Sequence, residues 1–578
     1  MHSNGSVWKT FAVSLTVLVI AAFVRYSWAS RGSSSTSQND QAYRPALNSG
    51  FPRIVTLNRH QSLQQALEAA QPGDTLILEA GATFVGPFTL PYKPGDAFIT
   101  IQSSALQSLP GEGQRITPAQ SSLMPRLVSP GRAEPVLRTA PAAHHYRFIG
   151  VEISTIAADS FVYELVTLGN YGSAQTALNQ VPHHLIFDRC YIHAFPAQSL
   201  KRGVTLNSAE TSILNCYIAG FKVVGQEAQA IMSWNGPGPF HIINNYLEAA
   251  GENIMFGGAT ATIPGLIPSD IEVRRNHLYK SPSWYAGHST YAGTHWTVKN
   301  LFELKNARRV VVDGNLMENN WLDAQQGYAV VLTPRPNDSG PSAIVEDVQF
   351  TNNIVRHVAA GVFIQGQDSL YTVNPSMNVG RRITIRNNLF YDIDPARWGG
   401  DGAFLKIGGD AREVTVDHNT IDHRGNITKA FGTANPGFIF SNNIAAHNDY
   451  GIFGDSQSPG LATLNTYFPG FIFSRNVIAG NSPYVINHNT WYPADNFYPL
   501  SLDEVRFVNR RSADYRLDLT SPYRKVSLGG KEIGCDLSAL GFAVGRPNAA
   551  RPAATRPRTV RPSPKVSSPA PKRIQRKS

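Results

Sequence analysis

The sequence predicts an all-β solenoid. Three observations predict it: a recurring corner, a short strand on either side of each corner, and a third strand in each interval. The corner unit reads FDRCYIHAF around Cys190, ILNCYIAGF around Cys216, IINNYLEAA around Asn245 and VRRNHLYK around Asn276. It returns at Asn315, Asn353, Asn388, Asn419, Asn443 and Asn476. Successive spacings of 26, 29, 31, 39, 38, 35, 31, 24 and 33 residues are too irregular for one tandem motif, yet each is the length of one supersecondary turn.

Each copy places β-branched or aromatic residues around one small polar side chain, which suits a corner where that Asn turns the chain through left-handed geometry. If the corners stack, the side chains lie about 4.8 Å apart and their amides bond as an internal ladder. The third strand reads GVTLNS from Gly203, AIMSWNG from Ala230, ENIMFGG from Glu252, LFELKN from Leu301, AVVLTP from Ala329, GVFIQG from Gly361 and AFLKIGG from Ala403. Three strands per coil make a parallel β-helix, here of about 10 to 12 coils. A leucine-rich solenoid would need an L-x-x-L-x-L spacing that is absent. A β-propeller would need hairpin turns at regular positions, and these do not recur.

The ladder, the strand triplets and the variable loops together resemble the right-handed parallel β-helix proteins of the pectin-lyase-like superfamily, over roughly residues 53–540. That likeness speaks for fold far more than for activity.

At the N-terminus the chain gives a strand, then a helix opened by Ser62 with Gln65 as a capping box. Leu63, Ala66, Leu67 and Ala70 share one face of it, and Pro72-Gly73-Asp74 stops it. Such a helix suits the open hydrophobic end of a β-helix. Residues 97–154 read as early coils with a proline-rich excursion from Leu109 to Pro135. Asp514 to Gly541 resembles a closing segment, which predicts the end of the solenoid near residue 540.

The two ends have other compositions. Lys9 precedes the apolar run Phe11–Val24, and Ser27-Trp28-Ala29 satisfies a small-x-small cleavage rule. Residues 1–30 therefore read as a signal peptide or signal anchor, and 31–50 as a polar linker. Export to the medium, periplasm or cell envelope follows as an expectation. The β-helix is expected over 51–541. The chain holds 51 Lys and Arg against 41 Asp and Glu, a net charge of +10. From Arg546 to Ser578 there are ten basic residues and no acidic one, so the excess belongs to a Pro- and Ala-rich tail too poor in apolar residues to fold. The tail suits contact with wall or envelope polyanions, or plain solvation. A body close to neutral, without a basic stripe, argues against nucleic acid. A monomer is expected. Cys190 and Cys216 occupy equivalent corners with parallel side chains, a poor geometry for a disulfide, so both read as buried thiols.

Chemistry is expected where long loops leave the stacked sheets. The insertion SPSWYAGHSTYAGTHW carries Trp284, Tyr285 and Trp296, which either stack on sugar rings or fill the space under the loop. In the strand Leu301–Asn306, alternation turns Phe302 and Leu304 inward and Glu303 and Lys305 outward, with Lys299 close by. Arg335 falls at the end of the next coil's strand and Glu252 in the coil before. His357, Asp368, Lys406 and Asp410 are expected farther along the same sheet.

Glu-x-Lys-Asn followed thirty residues on by an Arg at a strand end is similar to the alginate lyase and chondroitinase B family of polysaccharide lyases. The resemblance implies Lys305 and Arg335 as base and acid, with Glu252 and Glu303 holding calcium. It implies an anionic, uronic-acid-containing polysaccharide as substrate, bound by Trp284, Tyr285, Trp296, Lys299, His357, Asp368 and Lys406. The match departs from the family at Lys305-Asn306-Ala307, where the family has Asn-Lys-Ser, and at Pro334-Arg335-Pro336, where it has Arg-His-Gly. Two alternatives stand beside it. Glu252, Glu303, Asp368 and Asp410 could serve a glycoside hydrolase, and the aromatics a non-catalytic binding protein.

Overall fold

Each coil is built from three short strands, and the coils stack so that every strand pairs in parallel with its equivalent one coil away. The computed structural model describes residues 52–335, 343–368, 378–480 and 488–543. In one representative coil, Ala307–Asp313 belongs to the first sheet, Leu316–Asn320 to the second and Tyr328–Leu332 to the third. Among the described residues the three sheets hold 14, 13 and 12 strands. The third meets the expected count of 10 to 12 and the other two pass it, the surplus lying before Cys190, where Gly150 makes a corner that no Asn marks. The excursion from Leu109 to Pro135 also contains a second-sheet strand, Arg126–Ser129, that its prolines concealed.

The Asn ladder is continuous from Asn245 to Asn496. Asn315 Nδ2 donates to Asn353 Oδ1 at 2.9 Å, Asn353 to Asn388 at 3.1 Å, Asn388 to Asn419 at 2.9 Å, and so on to Asn476 and Asn496 at 3.0 Å. Each rung also accepts the backbone N–H of the Asn before it, as Asn353 Oδ1 does from Asn315 at 2.9 Å. Asn245 through Asn476 are fully buried along this file. The left-handed residue, however, is the one before each rung: Asn244, Arg275, Gly314, Asn352, Asn387, His418, Asn442 and Arg475 all have φ between 52° and 66°. The turn belongs to the preceding residue, which leaves the rung itself in ordinary geometry with its amide aimed along the stack. Cys190 and Cys216 continue the file as free buried thiols, Cys190 N–H facing Cys216 Sγ at 3.3 Å.

The helix Leu63–Ala69 starts as expected, Ser62 Oγ accepting from Gln65 N–H at 3.2 Å. Leu63, Leu67 and Ala70 are buried in the main core, and the helix packs on the first strand of the third sheet, Phe88–Leu90. At the other end the last three-sheet strand among the described residues is Val477–Ala479, and the stacking continues through the Asn496 rung, where Phe497 N–H donates to the Asn476 carbonyl at 2.8 Å and Gly480 N–H to the Pro499 carbonyl at 2.9 Å, still short of residue 540. Beyond that rung an antiparallel pair, Phe507–Asn509 with Asp514–Leu517, is followed by a segment that runs back over the corners. There Leu528, Cys535 and Asp536 donate backbone N–H groups to Asn442, Thr420 and Asn387. The expected signal, linker and tail lie outside the described residues. Among the described residues no helix is long and apolar enough to cross a membrane.

Candidate active site

The third sheet carries a file of inward apolar residues, Ile254, Phe302, Val330, Val362 and Leu405, in mutual register. The neighbouring file, Met255, Glu303, Val331, Phe363, Lys406 and Lys429, therefore faces outward, because side chains alternate along a strand. Lys305, Arg335 and Asp368 each follow a third-sheet strand in three consecutive coils. Arg335 N–H donates to the Lys305 carbonyl at 3.0 Å, so these two residues stand on adjacent coils at one end of the sheet. The Arg335 guanidinium pairs with the buried carboxylate of Asp368. Lys305 Nζ lies 3.5 Å from Glu303 Oε1. Its chain passes over Gly258, where φ is +83° and a Cβ would stand 3.2 Å from Lys305 Cδ.

At the opposite end of the same strands runs a row of polar residues in register: Glu164, Arg202, Gln229, Glu252 and Asn300. Arg202 donates to Glu164 at 3.0 Å and to Gln229 at 3.2 Å, and Gln229 donates to Glu252 Oε2 at 2.8 Å. Lys299 Nζ is inserted between Glu227 Oε2 at 2.7 Å and Glu252 Oε1 at 3.4 Å. Asn300 Nδ2 donates to Glu303 Oε2 at 2.9 Å and so joins the row to the outward file. Burial, then the nearby carboxylates Glu227 and Glu303, push the Glu252 carboxyl up to about 8. Burial also opposes ionisation of Glu227, but Lys299 and Lys305 outweigh it and hold that carboxyl down at about 2. Glu252 and Glu227 likewise raise Lys299 against its burial.

In this row Asn300 Oδ1 is buried without a hydrogen-bond donor, and the buried Glu252 Oε1 has only the Lys299 ammonium, at 3.4 Å. They belong to register partners, and every nearby ligand atom of Glu252, Glu303 and Asn300 is an oxygen. Such a set fits a hard cation of the calcium type, although Lys299 already fills one side of Glu252.

Beside Glu303 and Arg335 opens a cleft of about 180 Å³, walled by Gln325, Gln326, Tyr328, Thr333 and Phe363. Tyr328 donates to Asp401 at 3.2 Å, and its burial followed by that carboxylate pushes its pKa well above the ordinary phenol value, so it keeps its proton. Asp401 also accepts from Lys429 at 2.9 Å. Lys406 lies over the rings of Phe363 and Phe431 at 5.0 and 5.2 Å and donates to Gln326 at 2.7 Å. The coils thus bring Glu303, Lys305, Arg335, Asp368 and Lys406 to one face.

Other expected residues are elsewhere. Trp284 and Trp296 are 5% and 7% exposed, in a cluster with Trp321 and Trp398. Lys222 Nζ sits over both rings, at 5.8 and 5.3 Å, so they fill the space under the loop and are closed to a sugar. Tyr285 stacks on Trp321 at 5.0 Å and donates to the Arg397 carbonyl at 2.9 Å. Lys299 is a counter-ion inside the carboxylate row and faces no ligand directly. His357 lies on the second sheet, paired with Asp392 at 2.6 Å, because an intervening turn moves it off the expected face. Asp410 pairs with Arg412 at 2.6 Å. Glu227, Gln229, Asn300, Gln326, Tyr328, Asp401 and Lys429 were missed. Their only sequence signal is position within a third strand or its flank, and coil lengths vary too much to align those by eye.

Residues 337–492 match the family described as right handed beta helix region. No curated protein matches the chain in sequence. Among solved structures, an alginate lyase from Paenibacillus sp. str. FPU-7 is 13% identical over 73% of this chain and 99% of its own, with a TM-score of 0.29. A PL6 family alginate lyase is 13% identical over 76% and 53%, TM-score 0.42. The catalytic unit of a GH87 alpha-1,3-glucanase from Streptomyces thermodiastaticus strain HF3-3 is 11% identical over 73% and 68%, TM-score 0.40. The stacked coils make this chain a right-handed parallel β-helix, the architecture of the family that residues 337–492 match.

Proposed function

We propose that the chain is an exported polysaccharide lyase that cleaves a uronic-acid-containing polymer by β-elimination. The observation that carries this reading is the adjacency of Lys305 and Arg335 on consecutive coils, joined through their backbones at 3.0 Å, beside a cleft lined by Glu303 and Tyr328. Elimination needs a base at the carbon next to the uronate carboxylate and a means of stabilising the charge that develops there. Lys305 takes the proton from that carbon. As the carbon–oxygen bond to the neighbouring sugar breaks, a carbon–carbon double bond forms and the leaving oxygen takes up a proton from Arg335, the acid, which regains one from water. Arg335, held by Asp368, faces the developing charge. Lys406 and Lys429, in register farther along the outward file, supply positive charge for neighbouring uronates.

Glu252, Glu303 and Asn300 are the residues that would hold calcium. When bound there, the ion supplies neutralisation of the uronate carboxylate.

A screen of anionic polysaccharides tests the reading. Turnover is expected to produce an unsaturated uronide absorbing in the near ultraviolet, and Lys305→Ala should abolish that signal while leaving polymer binding largely intact. New reducing ends without the absorbance would assign a hydrolase instead, and binding without either product would assign a carbohydrate-binding protein. Normal elimination by Lys305→Ala would remove Lys305 as the base.

A further inference from the structure

Far from the cleft, two consecutive coils of the first sheet each begin with a pair of histidines. His144-His145 opens the strand His144–Ile149, and His183-His184 opens the strand His183–Asp188. The strands pair in parallel with His183 opposite His144. In a regular strand, neighbouring side chains point to opposite faces. Here the second residue of each pair is left-handed, with φ of 58° at His145 and 53° at His184, and this turns both rings of a pair to the same side. The same twist recurs at Glu210 and, after one coil that has Pro239 at this position, at Asp270, Arg309, Asp347, Arg382 and Glu413. In the later coils the twisted positions hold ion pairs, such as Asp270 with Arg309 and Asp347 with Arg382, both at 2.6 Å. Only the two early coils place four imidazoles there.

The four rings form a compact block. His144 stacks on His183 at 4.7 Å and His145 on His184 at 4.3 Å. Within each coil the Nδ1 atoms approach to 2.8 and 2.7 Å. A ligating nitrogen from each of His145, His183 and His184 lies within 4.8 Å of the others. Two nitrogens bound to one zinc ion at about 2.1 Å are roughly 3 to 3.5 Å apart, so each pair needs to open by only a few tenths of an ångström.

We propose that His145, His183 and His184, joined by His144, bind a late first-row divalent ion such as Zn²⁺ or Cu²⁺, clamping the two coils together. Imidazole nitrogen selects these ions over calcium, which takes oxygen ligands. A carboxylate behind the block strengthens the assignment. Glu210 Oε2 lies 2.6 Å from His184 Nε2, so that nitrogen carries the proton and leaves Nδ1 as the lone pair facing the other rings.

The test uses the untagged full-length chain freed of metal by a chelator, with Zn²⁺ in calorimetry and Cu²⁺ in paramagnetic resonance. One Zn²⁺ per chain is expected at micromolar affinity or tighter, unaffected by millimolar Ca²⁺. Affinity should drop at least 100-fold in the double variant His183→Ala/His184→Ala, provided its circular dichroism matches the parent. The Cu²⁺ spectrum of the parent chain, which does not depend on any variant folding, should report three or more coordinating imidazole nitrogens. Absence of stoichiometric Zn²⁺ binding, unchanged affinity in a folded double variant, or a Cu²⁺ spectrum with fewer than two nitrogens would overturn the proposal.

Discussion

Two buried polar files run along parts of this solenoid, and they differ in kind. The Asn ladder repeats one neutral side chain, each amide giving a proton to the next rung and taking one from the backbone before it. The row on the third sheet changes residue at every coil, from Glu164 through Arg202, Gln229 and Glu252 to Asn300, and ends with Asn300 Oδ1 buried without a donor and Glu252 Oε1 held only by the Lys299 ammonium at 3.4 Å. Both are paid for by the same stacking, yet one is complete and the other is not. A file closed by repetition has nothing left to offer a ligand, whereas mixed charge held at high local density keeps unspent bonding capacity next to a cleft.

The largest effect that would sharpen this contrast is catalytic. Lys305→Ala should lower kcat on the responsive polymer by about 10³-fold, in the range of a lost general base, with little change in unfolding temperature. Trp296→Ala, which touches neither file, should instead cost about 3 to 5 kcal/mol of stability in chemical denaturation through the cavity it leaves, with polymer affinity per folded molecule unchanged. Asn315→Ala should cost about 2 to 3 kcal/mol, because Asn276 loses the acceptor for both its backbone and side-chain N–H groups. The polar row should respond to pH where the ladder does not. Glu252 has a folded pKa raised to about 8, so it keeps a proton that the unfolded chain releases near the ordinary carboxyl value. Its effect on stability is nil below that value, and destabilisation grows as pH rises towards 8, then levels off. Glu252→Gln should therefore gain stability relative to the parent by roughly 4 kcal/mol at pH 8 but not at pH 4. Equal differences at both values, read from urea unfolding, would show the row to be as neutral as the ladder.

The ladder was legible because one residue type recurs beside apolar runs, and only a stacked corner asks for that. Its left-handed partner was not, since Asn, Arg, His and Gly all serve at that place and leave no common letter. At the site, alternation in Leu301–Asn306 separated Glu303 and Lys305 from the inward apolar file but did not reveal that both are buried, at 1% and 8% exposure. It could not show that Lys299 would be drawn in between Glu227 and Glu252, because Glu227 lies two coils away in sequence. Composition also could not tell a stacking platform from packing at Trp284 and Trp296; the deciding contact is Lys222, on another coil. The twin histidines were visible as letters, but their shared side depends on a backbone twist that no pattern of hydrophobicity records.

The returning C-terminal segment has a consequence for how the molecule comes apart. A linear array of coils frays from its ends, since a terminal coil has a neighbour on one side only. Here Leu528, Cys535 and Asp536 fasten the chain to Asn442, Thr420 and Asn387, corners of successively earlier coils. Peeling the last coils therefore requires first releasing a strap anchored farther inward, which couples end fraying to the loss of contacts in the middle of the stack. The solenoid should open at that end as one cooperative block rather than coil by coil.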